Sequence, residues 1–321
     1  MKKALPVIVL LVVVAAVVVL AFVFRKRGQA EPTIAVIPKG MTHSFWMSVH
    51  DGADKAGKEF GYKIAWNGPI RERDVEGQSQ IVEDFIQQGV AGVVLAPVDD
   101  GGLVPKVEQL AEKKIPCVII DSGIKTDKYV SFVATDNYEG GRLAARRMGK
   151  ILNGKGKVIV VKYQPNSDST TARENGFIET IRKEFPDVKI VAAEYGEDTP
   201  ETALARTEDM LTANSDLQGL FACNQSTSLG ALQALKSRKR AEVKMIGFDA
   251  DKALVGALKE GLIDSLVIQN PYKMGYEGVK TLVEHIRGRP VPKTMDTGAK
   301  LVTVESLNDR EVKEALEPQL R

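Results

Sequence analysis

Lys39, His43, Phe45 and Trp46 crowd the stretch PKGMTHSFWMSVHDGA, residues 38–53, just after a short apolar run. Polar side chains recur in the same situation along the chain. Asp121-Ser122 follow CVII, Asp136 follows SFVAT, Asn224-Gln225 follow LFAC, Asp249 follows MIGF and Gln269-Asn270 follow SLVI. Ser169, Thr170 and Arg173 lie in NSDSTTARENGF, after Lys162 and Tyr163. Carboxylates and amides accept from or bridge vicinal hydroxyls, a guanidinium donates in a planar fork, and an aromatic face packs on the C–H side of a ring. The set suits holding a small polyhydroxylated molecule. It suits turning one over poorly, because few of these positions offer a nucleophile beside a base. GxxxxGK[ST], a strand-to-helix GxGxxG, HExxH and GxSxG are all missing. Neither His50 nor His285 stands at metal-ligand spacing from His43, so no metal or cofactor is expected.

The elements that must position these residues are short strands alternating with helices. Strands are expected at 33–37, 62–66, 92–96, 117–121, 130–135, 157–162, 189–193, 217–222, 244–248 and 265–268. Between them, stretches such as 45–60, 75–88 and 140–152 carry apolar residues at three- and four-residue spacing. Strands without polar alternation, separated by helices, predict parallel sheets covered on both faces. The order strand, helix, strand repeats after Thr135-Asp136, predicting two doubly wound, Rossmann-like lobes. In such sheets ligands bind beyond the carboxyl ends of the strands, where the residues above fall. A final helix near 272–287 and a strand at 301–304 have no place in the second lobe's order. The chain therefore crosses between lobes more than once.

Each candidate also has a structural reading. Phe45 and Trp46 open a helix whose inward face continues through Val49, Ala53 and Phe60, so at least one belongs to a core. Asp136 and Asp249 stand where a carboxylate would cap the following helix. Cys117 and Cys223, in different halves of the chain, read as small core residues rather than a disulfide.

The formal charge of +2 is set by the N-terminus: Lys2, Lys3, Arg25, Lys26 and Arg27 flank an uncharged run from Ala4 to Phe24. Without those five the body carries 39 basic against 42 acidic residues, which gives it no electrostatic reason to bind nucleic acid. The run of 21 residues is long enough to cross a bilayer core, favouring an uncleaved anchor, while Gly28-Gln29-Ala30 resembles a signal cleavage site. Export is expected, with the body periplasmic or anchored to the outer face of the cytoplasmic membrane.

SFWMSVHDGADKAGKEFGY, VVLAPVD, IPCVIIDSG, SFVATDNYEGGRLAA, TTARENGF, LFACNQSTSLGALQAL, MIGFDADKALVGALKEG and IQNPYKMGYEGV occur in the order and spacing of one family. The chain resembles the type I periplasmic binding proteins of sugar ABC transporters, in their ribose-binding branch. The resemblance implies two lobes joined by a three-crossing hinge, near Thr135-Asp136, Gln269-Asn270 and Gly298-Lys300. The lobes are then 31–135 plus 270–299 and 136–269 plus 300–321, preceded by the signal or anchor segment at 1–30. It implies ligand contacts at His43, Phe45, Trp46, Asp121, Ser122, Arg173, Asn224, Asp249 and Gln269, to which the residue reading adds Lys39 and Asp136. The family's Asn is replaced by His43 and its Arg by Ser122, and its second-lobe aromatic falls near Asp198, where Tyr195 is a candidate substitute. The implied activity is non-enzymatic: a monomer closes on a small sugar, polyol or sugar acid and delivers it to an ABC permease. A membrane-tethered sugar-sensing module is the alternative.

Overall fold

In the computed structural model, which describes residues 31–320, two six-stranded sheets face each other across a cleft. In chain order the first half contains β1 (Thr33–Ile37), α1 (Ser44–Phe60), β2 (Lys63–Trp66), α2 (Val75–Gln88), β3 (Gly92–Leu95), α3 (Val104–Glu112), β4 (Cys117–Ile120) and β5 (Ser131–Ala134). The second half contains α4 (Asn137–Ile151), β6 (Lys155–Lys162), α5 (Asp168–Glu184), β7 (Asp187–Tyr195), α6 (Pro200–Ala213), β8 (Gly219–Ala222), α7 (Gln225–Ser237), β9 (Lys244–Phe248), α8 (Lys252–Lys259) and β10 (Ser265–Gln269). The chain ends with α9 (Pro271–Ile286), β11 (Thr294–Asp296), β12 (Ala299–Val302) and α10 (Arg310–Leu316).

The sheet orders are β11-β5-β4-β3-β1-β2 and β12-β10-β9-β8-β6-β7. All pairings are parallel except β10 with β12. Alternate side chains of each strand enter different cores: Ile34 and Val36 pack on one face of β1, Ala35 and Ile37 on the other. The second sheet repeats this with Ile159 and Val161 against Val158 and Val160. Burial on both faces is why these strands read as unbroken apolar runs.

The chain passes between the sheets after β5, returns from β10 into α9, which packs on α1 and β4, and passes again from β11 to β12. The short strand β11 was not foreseen; three residues at a sheet edge carry too little pattern. β12 begins two residues before the expected strand, and β6, which begins at Lys155, does the same. After α10, residues 317–319 lie against α1, and Gln319 Nε2 donates to the Gln269 carbonyl at 3.2 Å. Both cysteines are buried free thiols. Among the described residues no helix is long and apolar enough to cross a membrane. The expected signal or anchor segment lies outside the described residues.

Candidate functional site

The carboxyl ends of both sheets meet at one cavity. Lys39, His43, Phe45, Trp46, Asp121, Arg173, Asn224, Asp249 and Gln269 line it, together with Glu72, Tyr163, Ser169, Thr170 and Gln225. The first lobe supplies the aromatic wall. Phe45 and Trp46 open α1 as an edge-to-face pair with centroids 4.9 Å apart, and both also belong to the core beneath. Core and cleft are therefore not alternatives for these two rings.

Two aspartates enter through the same backbone device. Asp121 follows β4 with φ of 62° and Asp249 follows β9 with φ of 68°. Left-handed backbone at a non-glycine residue costs about 1–2 kcal/mol and is least unfavourable for Asp and Asn. Here it sends a carboxylate into the cleft from each lobe. Asp249 Oδ2 accepts from the backbone N–H of Gln225, the first residue of α7, at 2.9 Å, and Oδ1 accepts from Gln269 Nε2 at 2.7 Å. The helix that follows Asp249 is capped by Asp251, whose Oδ1 accepts from Leu254 N, so the capping reading of Asp249 does not hold for that helix.

Every charge on the wall has an opposite partner. Lys39 Nζ lies 3.0 Å from Asp121 Oδ2 and donates across the cleft to Ser169 Oγ at 3.1 Å and Ser167 Oγ at 3.3 Å, which uses its three N–H groups. His43 Nδ1 lies 2.7 Å from Glu72 Oε1, and Arg173 Nη1 lies 3.9 Å from Asp249 Oδ2. Burial works to raise the Glu72 carboxyl. The charge on His43 and hydrogen bonds from His43, Tyr163 and Trp46 outweigh it and bring that carboxyl down to about 2. For His43 burial opposes the charged ring, but Glu72 overcomes this and raises its pKa. Asp249 is pushed up by burial, with Arg173 acting against the shift.

Arg173 is held rather than free. Nε donates to Asn137 Oδ1 at 2.8 Å, Nη1 to the Cys223 carbonyl at 3.1 Å, and the guanidinium lies 4.0 Å from the centre of the Phe248 ring. Asn224 caps α7 through a reciprocal pair with Thr227 while facing the cavity. Gln269 Oε1 is buried without a hydrogen-bond partner, an acceptor that a ligand hydroxyl would satisfy.

Two candidates lie elsewhere. Asp136 is exposed and its Oδ1 caps α4 through Glu139 N at 2.9 Å, so its carboxylate is occupied at the hinge and does not line the cavity. Ser122 is buried just outside the wall, where its Oγ accepts from Ser169 N at 3.1 Å and ties the lobes together. Tyr195 is not the missing second-lobe aromatic: it is 37% exposed, stacks beneath Lys162 Nζ and does not line the cavity, which Tyr163 does. Asp198, where that aromatic was expected, instead receives Arg71 in a two-bond fork, Nη2 to Oδ1 at 2.5 Å and Nε to Oδ2 at 3.0 Å.

This fork joins the loop after β2 to the loop before α6. Replacing Asp198 with Ala is expected to loosen closure, weakening ligand affinity about fivefold, near the 1 kcal/mol upper end for a half-exposed ion pair. Small-angle scattering of the ligand-free protein should show a larger radius of gyration than wild type. Glu72 belongs to no motif; its only signal in the sequence is that GPIRERD follows the second strand. Ser169, Thr170 and Gln225, polar residues that the sequence places beside Arg173 and Asn224, line the cavity with them.

A family model described as periplasmic binding protein domain matches residues 34–290. A D-ribose/D-allose-binding protein of Pseudomonas aeruginosa is 30% identical over 85% of this chain and 89% of its own length. The ribose import binding protein RbsB of Bacillus subtilis is 28% identical over 86% of this chain and 88% of its own. Among solved structures, a carbohydrate transporter solute binding protein from Agrobacterium radiobacter in complex with D-arabinose has a TM-score of 0.87 and 36% identity, covering 90% of this chain and 99% of that one. An ABC transporter solute binding protein from Agrobacterium vitis with bound D-fucose has a TM-score of 0.85 and 36% identity, covering 88% and 99%.

Proposed function

The chain belongs to the periplasmic binding protein domain family, in its type I, ribose-binding-like branch, and from that premise we propose that it is the sugar-binding component of an ABC importer. It closes its lobes on one small sugar or polyol and presents it to a membrane permease from outside the cytoplasmic membrane. It performs no chemistry on the ligand.

The observation that carries this reading is the charge-paired cavity. Lys39 with Asp121, His43 with Glu72 and Arg173 with Asp249 leave the wall rich in donors and acceptors yet without an unpaired charge. An ionised ligand would bring a charge into a low-dielectric site that has none left to offer, which is costly. A neutral polyhydroxylated ligand loses nothing of that kind, and enclosure strengthens each of its hydrogen bonds. The aromatic pair Phe45 and Trp46 supplies an apolar face for a ring's C–H side. Neutral sugars and polyols are accordingly favoured over sugar acids.

A thermal-shift screen of residues 31–321 against D-arabinose, D-fucose, D-ribose, D-allose, xylitol, matching sugar acids and a set of amino acids tests the assignment. A true ligand at 100 times its Kd should stabilise the protein by about 2.7 kcal/mol. A shift with sugar acids alone would refute the neutral-ligand reading, and a shift with an amino acid but no sugar would refute the sugar reading altogether.

A further inference from the structure

Glu72 is the polar hub of the cavity. Its Oε1 accepts from Trp46 Nε1 at 2.6 Å and from His43 Nδ1 at 2.7 Å, and its Oε2 accepts from the Tyr163 hydroxyl at 2.6 Å. Its backbone carbonyl accepts from Gln164 Nε2 at 3.1 Å. His43 and Trp46 come from the first lobe, Tyr163 and Gln164 from the second. Local sequence makes room for the carboxylate: a Cβ added at Gly40 would sit 2.7 Å from Glu72 Cγ. The other ring nitrogen of His43, Nε2, has no partner among the described residues, although the side chain stands on the cavity wall.

The two nitrogens of an imidazole are linked. When a carboxylate holds Nδ1–H, the neutral ring presents a lone pair at Nε2, whereas the imidazolium presents an N–H donor. A ligand hydroxyl can answer either state. A ring or carbonyl oxygen can answer only the donor, and a donor that carries charge makes the stronger bond.

We propose that Glu72 is a positioning residue that decides what the cavity selects, by holding His43 as the imidazolium so that Nε2–H donates to an oxygen of the ligand. The inference rests on the sugar-binding reading above. The groups facing His43 agree with it. Glu72 touches the ring, and Asp249 and Asp198 act on it from the second lobe; all three favour its charged form, while burial opposes it. Of the cations on the wall, Lys39 is engaged by Asp121 and the two serines, and Arg173 is nearest Asp249. The Tyr163 hydroxyl spends its proton on Glu72.

The sign of the pH dependence follows. Glu72 holds the folded pKa of His43 above its unfolded value, so the pair's contribution is complete below the unfolded pKa and is lost as pH rises through the folded one. Ligand affinity should weaken over the same interval, because the donor is replaced by a lone pair.

With three histidines in the chain, imidazole nitrogen NMR of the unliganded protein can follow His43 directly. His43 is expected to titrate above an ordinary histidine in wild type. In Glu72→Gln it should titrate at or below the ordinary value, since burial then acts against a weaker opposition. By calorimetry with D-arabinose, and with D-fucose as a second probe, wild-type Kd should rise with pH through the His43 titration. Glu72→Gln should bind roughly ten- to hundredfold more weakly at low pH, the loss expected for a hydrogen bond to a charged group, and with no dependence on pH over that interval. His43→Gln donates without titrating, so it should also bind with a flat profile, and it serves if Glu72→Gln does not fold. A wild-type Kd that stays constant across the His43 titration, or a Glu72→Gln profile that follows wild type, overturns the inference while leaving sugar binding intact. If neither sugar binds wild type at any pH, the sugar reading is what fails for these probes, and a His43 that titrates as an ordinary histidine overturns the inference on its own.

Discussion

Asp249→Ala is expected to lower sugar affinity by more than about a hundredfold and to destabilise the unliganded protein by about 3 kcal/mol. Its carboxylate accepts from Gln225 N and Gln269 Nε2 and is the anion nearest Arg173. Removing it strands two buried donors and leaves the guanidinium without its counter-charge. The figure sits at the low end of the range for a broken buried pair because Arg173 keeps Asn137, the Cys223 carbonyl and the Phe248 face. Both effects come from one carboxylate, which holds its own lobe together as well as facing the cleft. Urea denaturation and calorimetry with the ligand found in the sugar screen measure the two effects separately. Asp249→Asn, which keeps an acceptor but not the charge, should fall between wild type and Ala in both. Full affinity in Asp249→Ala alongside the stability loss would reduce Asp249 to a structural role.

Gly141→Ala should be as damaging without touching the cavity. A Cβ at Gly141 would stand 2.0 Å from the carbonyl oxygen of Arg173 and 2.9 Å from Phe177 N, so helices α4 and α5 would have to separate. Gly176 makes the reciprocal approach, 2.1 Å from the Tyr138 carbonyl oxygen. Overpacking a well-filled interface costs typically about 1–3 kcal/mol, and a clash between two backbones should reach or exceed the upper figure. The displaced α5 also carries Arg173, so affinity should fall together with stability. The first lobe has the same construction, with Gly52 against the Tyr272 carbonyl and Gly275 against the Val49 carbonyl, both at 2.0 Å. Gly275→Ala should therefore reproduce the stability loss in that lobe, where the displaced helix is α1 with Phe45 and Trp46. A melting temperature unchanged in Gly141→Ala would show that the helices can yield, contrary to this packing argument.

Strand ends were the most legible part of the site. Asp121, Asn224, Asp249 and Gln269 each follow an apolar run, and a parallel sheet places such positions at one edge whatever the rest of the chain does. Asp136 follows a run equally well, yet it lies at a crossing between lobes, where the same edge position points a carboxylate at a helix N-terminus. Spacing alone cannot separate these outcomes, because capping and ligand binding use the same side chain after the same kind of strand.

By itself the sequence determined two doubly wound lobes and a polar set at their strand ends, because burial on both faces and helical spacing are written in local pattern. Only the tertiary structure decided what PKGMTHSFWMSVHDGA does. Phe45 and Trp46 serve core and cavity at once, Lys39 is spent on Asp121 and two serines of the other lobe, and His43 answers to Glu72. Glu72 in turn meets Tyr163, 91 residues away, and Lys39 meets Ser167 and Ser169, 128 and 130 residues away. Pairings of that range depend on how the two lobes come together in space, which no local run of residues records.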